Sequence, residues 1–64
     1  MCEFTVYVEN GDSREKITKG VIKAKLKDGN VTLMDSAGKL TKVENASILT
    51  VDTLMQELIL KRSF

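Results

Sequence analysis

The stretch VIKAKLKDGNVTLM, Val21 to Met34, decides the fold. In its first half Ile22, Ala24 and Leu26 alternate with Lys23, Lys25 and Lys27, a period of two that predicts a strand with one apolar and one basic face. Asp28-Gly29 then separates this run from Val31-Thr32-Leu33-Met34. Both central positions of a type I′ turn need positive φ, which Asp-Gly tolerates better than most pairs, so the segment reads as a β-hairpin.

The same period extends outward in both directions. Phe4, Val6 and Val8 alternate with Thr5, Tyr7 and Glu9 and predict an earlier half-buried strand. Asn10-Gly11-Asp12-Ser13 supplies the next turn, and Arg14 to Thr18 a short second strand with Ile17 inward. Beyond the hairpin, Ser36-Ala37-Gly38 turns the chain into a strand from Leu40 to Glu44. Glu44-Asn45 ends that strand, and Ser47 to Asp52 forms another around Ile48, Leu49 and Val51. With no proline, repeat or linker, residues 1–64 read as a single β-barrel domain.

The segment TLMQELILKRSF is open to two readings. Its residues are good helix formers, and Thr53 with Gln56 resembles a capping box. The apolar triplet Leu58-Ile59-Leu60 suits a buried strand equally well.

Composition narrows the function. A domain of 64 residues buries only ~60% of the surface its unfolded chain exposes, so a disulfide, a metal or a partner copy is a common support. One cysteine excludes an internal disulfide. Ten basic against nine acidic side chains, net +1, argue against binding driven by bulk charge. No apolar run approaches the roughly 18 residues of a membrane span, and no secretory signal is evident; a cytoplasmic location is expected.

The chemistry available centres on Cys2. Without histidine, neither a cysteine–histidine catalytic pair nor an ordinary zinc site can be assembled from one chain, and no enzymatic activity is expected. Cys2 is either an incidental residue at the head of a strand, as free cysteines that serve as small hydrophobes commonly are, or part of a chelate. If Met1 is removed, the Cys2 amine and sulfur close a five-membered ring on a metal ion. If Met1 is retained, its amine, the Cys2 amide nitrogen and the thiolate close two fused rings. A two-fold dimer could bring two such sets to one axis. Nitrogen and thiolate in a plane suit Ni(II) or Cu(II).

The MCE opening, the VYV core of the first strand, the DSAGK turn, ILTVD and the later LIL together resemble the CooT family over at least Met1 to Leu60. That resemblance implies an all-β fold, a small Sm-like or SH3-like β-barrel of five to seven short antiparallel strands. It implies a homodimeric nickel-binding protein, a metallochaperone or accessory factor serving carbon monoxide dehydrogenase. Cys2 at the dimer interface would be the Ni(II) ligand, joined by the Met1 backbone amine where that residue is retained. The resemblance also favours a strand over Glu57 to Leu60.

Two other readings compete. Lys23, Lys25 and Lys27, helped by Lys16 and Lys19, could track phosphates while Tyr7 stacks on a base, making an RNA-binding barrel. Lysine on an outer strand face is also ordinary protection of a sheet edge. Alternatively the chain is an assembly module that dimerises to complete its core, through Leu58, Leu60 and Phe64.

Overall fold

The computed structural model describes residues 2–62. They form six strands: β1 Phe4–Asn10, β2 Ser13–Lys27, β3 Asn30–Asp35, β4 Leu40–Val43, β5 Ala46–Asp52 and β6 Glu57–Arg62. All six lie in one sheet with the order β4-β3-β2-β1-β6-β5. The turn linking β2 to β3 has Asp28 at φ 53° and Gly29 at φ 78°, the backbone signs of the expected type I′ hairpin.

The sheet curls on itself as a small barrel does, and β2 is what allows it. This strand of 15 residues serves two neighbours in turn, β1 over Ser13–Val21 and β3 over Val21–Lys27. It bends where it changes partner. Phe4 opposes Val21 and Val6 opposes Thr18, so Lys19 and Gly20 together face Thr5. Gly20 takes φ +69°, and its carbonyl accepts from the Ser36 N–H at 3.2 Å. The far edge is drawn round by the Ala46 N–H donating to the Gly29 carbonyl at 2.9 Å and the Asn45 N–H donating to Asn30 Oδ1 at 3.2 Å.

The all-β barrel expectation holds with two differences. Arg14–Thr18 and Val21–Lys27 are halves of one long strand, and the β1–β6 pair is parallel, Val6 opposite Leu58 and Val8 opposite Leu60. The other four pairs are antiparallel.

The core is the concave face. Val6, Val8, Val21, Val31, Leu33, Val43, Ala46, Leu58 and Leu60 form one buried cluster. Each fully buried valine or leucine contributes about 1.5–3 kcal/mol. The continuous triplet Leu58-Ile59-Leu60 follows from β6 lying between β1 and β5. Ile59, on the opposite face from the cluster, is still only 4% exposed, in register with Tyr7 and Thr50.

The single apolar face predicted for Ile22, Ala24 and Leu26 holds for Ala24 and Leu26, which pair with the buried Leu33 and Val31, and is corrected at Ile22. Ile22 is the extra residue of a bulge, since Val21 opposes Asp35 and Lys23 opposes Met34; it stands 38% exposed. Ala24 packs on the core, but Leu26, next to the hairpin turn, is 49% exposed.

No helix follows β5. Asp52 Oδ1 accepts from the Leu54 and Met55 N–H groups at 3.0 and 2.9 Å, so the cap is Asp52 and not Thr53. Gln56 at φ 57° then leaves the right-handed path after a single turn, and its carbonyl accepts the Thr5 N–H at 2.9 Å.

Candidate functional site

Cys2 lies two residues before β1 and is exposed, with a free thiol. Within the single chain it is therefore not a buried hydrophobe, and the incidental and chelating readings both remain. Its surroundings are set by neighbours on either side. Glu3 lies against the β2 bend, its Oε1 3.4 Å from where a Cβ on Gly20 would sit. The Thr5–Gln56 hydrogen bond ties the start of β1 to the β5–β6 turn. Cys2 thus precedes a segment held between the bend in β2 and the turn before β6. Met1, the other expected ligand, and Phe64, one of the residues considered for a dimer surface, lie outside the described residues.

Beside this segment is a shallow apolar groove of about 210 Å³, to which Phe4, Ile22, Ile48 and Val51 contribute. Val51 is 57% exposed, and in the following turn Leu54 and Met55 are 89% and 64% exposed. Apolar side chains this open are costly to leave in water when contiguous and commonly mark contact surfaces. By contrast, Leu58 and Leu60 are 4% and 0% exposed within the chain's own core, so they are not the contact surface suggested for an assembly module.

Among the described residues no group of three or more histidine, cysteine, aspartate or glutamate side chains is placed to hold a metal ion. The donors that Cys2 can offer together are its thiolate and adjacent backbone nitrogens. Such a set fits a planar Ni(II) environment and falls short of the four side-chain ligands of a structural zinc site.

The residues considered for RNA binding are split: Lys16 pairs with Tyr7, while Lys23, Lys25 and Lys27 lie elsewhere on the sheet. Lys23, Lys25 and Lys27 line a groove of about 280 Å³ on the outer face, with Thr32, Met34 and Leu40 between them and the β4 edge. Tyr7 is in register with Lys16, seven residues earlier on β2 than Lys23 and roughly 20 Å away along the strand. Its ring is occupied: the Arg14 guanidinium stands over it, 5.3 Å from the centroid, and Arg14 Nη1 lies 3.5 Å from Glu57 Oε1. Sequence periodicity gave no sign of this trio, because it depends on the β1–β6 pairing. The same holds for Lys42, which β4 sets beside Thr32 on the lysine face.

No helix of the described residues is long and apolar enough to cross a membrane. No match was found among curated proteins. A crystal structure assigned to CooT from Carboxydothermus hydrogenoformans superposes with a TM-score of 0.85 at 23% identity, covering 95% of this chain and 97% of that one, which establishes a shared fold. The family model described as CO dehydrogenase accessory protein CooT matches residues 1–61. With the match running almost end to end, the chain belongs to the CooT family of CO dehydrogenase accessory proteins.

Proposed function

We propose that this accessory protein holds Ni(II) through Cys2 and the amino terminus, between two copies of the chain, for transfer to a nickel enzyme such as carbon monoxide dehydrogenase. The observation that carries the reading is the exposed Cys2 thiol beside an apolar groove, in a chain with no other thiol and no imidazole. A two-fold contact through the Phe4, Val51 and Leu54 surface brings two Cys2 segments toward one axis, because such an interface pairs the same patch on both chains. Two thiolates and two backbone nitrogens then complete a four-coordinate plane, the geometry Ni(II) favours. An exposed thiolate pair at a subunit seam suits cargo that must leave again better than a buried cage does. The nickel is cargo, and the chain's own part is to present sulfur and nitrogen in one plane at the rim of the apposed apolar surfaces.

Nickel titration of the untagged protein by calorimetry, with mass spectrometry to define residue 1, tests this. One ion for each two chains, proton release and a thiolate-to-metal charge-transfer band are expected. Cys2→Ser abolishes all three, and an amino-terminal extension weakens binding. Tight binding that survives both changes refutes the proposal.

A further inference from the structure

We propose that the outer face of β2, β3 and β4 is a docking surface for an extended acidic segment of a protein partner. Cross-strand register builds the face. One row runs Lys23, Met34, Leu40 and the next Lys25, Thr32, Lys42, with Lys27 opposite Asn30 at the hairpin end. Four lysines therefore frame a floor of Met34, Thr32 and Leu40. The chain as a whole carries only +1, so this face concentrates more positive charge than the molecule has net. None of the four lysines makes an ion pair among the described residues. Asp35, the carboxylate that ends β3, is committed to its own turn, where Oδ1 accepts the Ala37 and Lys39 N–H groups at 3.0 and 2.9 Å.

Spacing and floor together select the partner. Lys23, Lys25 and Lys27 sit on alternate residues of a strand and so repeat about every 7 Å. Carboxylates on alternate residues of an extended peptide repeat at the same interval. The methylene stems of those acidic side chains would lie over the floor, where Leu40 is 64% exposed and offers an aliphatic contact. Single-stranded nucleic acid shares the charge requirement but draws affinity from aromatic platforms. The floor has none, and Tyr7 lies under Arg14 elsewhere on the sheet.

The test is a heteronuclear NMR titration of the full-length labelled protein with a capped synthetic peptide in which glutamate alternates with leucine. A polyuridine oligonucleotide is the second arm. The expected result is saturable shifts at Lys23, Lys25, Lys27 and Lys42 and at the Met34 methyl, weakening as salt is raised. Lys25→Glu, at an exposed site and with an unchanged circular dichroism spectrum, lowers peptide affinity about threefold to tenfold, the effect of losing one exposed pair and adding a repulsion. Cys2→Ser leaves peptide binding at the parent level, which separates this surface from the nickel reading. Shifts confined to another face, oligonucleotide binding here without peptide binding, or no binding of either probe each overturn the proposal.

Discussion

Replacing Gly20 with alanine tests whether the bend in β2 requires a left-handed residue. Gly20 stands at φ +69°, where an L-residue is disfavoured by about 1–2 kcal/mol. Alanine also restricts the unfolded chain, offsetting ~0.4–1 kcal/mol of that. The new Cβ would meet Glu3 Oε1 at 3.4 Å, an ordinary contact with the end of a flexible side chain, so crowding adds little. Rotating the backbone to relieve the strain would disturb the Ser36–Gly20 hydrogen bond, which closes that escape. The net loss is about 1 kcal/mol, or roughly 4–8 °C in Tm for a domain of this size. Thermal and urea unfolding of the parent, Gly20→Ala, Glu3→Ala and the double variant, all at one protein concentration, measure it. A coupling near zero between the two sites identifies the cost as backbone strain. An unchanged Tm for Gly20→Ala, or restoration by Glu3→Ala, refutes the reasoning.

Two further variants probe the core and the apolar groove. Leu60→Ala, at a fully buried site on β6, costs about 2–5 kcal/mol, against a total of ~3–10 kcal/mol for a chain this long. A loss under about 1 kcal/mol in urea unfolding would show that β6 is not central to the core. For the proposed dimer, Val51→Asp with Leu54→Glu alters exposed residues and should leave far-UV circular dichroism unchanged while sedimentation equilibrium shifts to the single chain. A dimer that persists in this variant places the contact on another face.

What could be read from the sequence was local. The Asp28-Gly29 hairpin is decided by two adjacent residues, and the inward set of Phe4, Val6 and Val8 by simple alternation. Bulges defeat alternation: one extra residue at Ile22 and another at Leu49 shift the faces beyond them. Composition also misleads between Thr53 and Leu60, where good helix formers are overruled by the Asp52 cap, the left-handed Gln56 and the pairing available on both sides of β6. For the candidate site, the isolation of Cys2 was visible in composition, but its exposure was not. The membership of the lysine face is set by strand order, so Lys42 joins and Tyr7 drops out only once register is known.

The parallel pairing of β1 with β6 has a consequence for how the molecule forms. Thr5 and Glu57 are partners 52 positions apart, and closing a loop of that length costs roughly 3.5 kcal/mol of chain entropy before any contact repays it. The hairpins β2–β3 and β3–β4 need no such closure and can form on their own. β1 can join β2 through the Asn10–Ser13 turn, but the β1–β6 seam has to wait for the sixth strand, so folding is expected to be slow relative to helical domains of equal length. Throughout that interval the segment carrying Cys2 lacks its tie to the β5–β6 turn, and its final setting is among the last features of the molecule to appear.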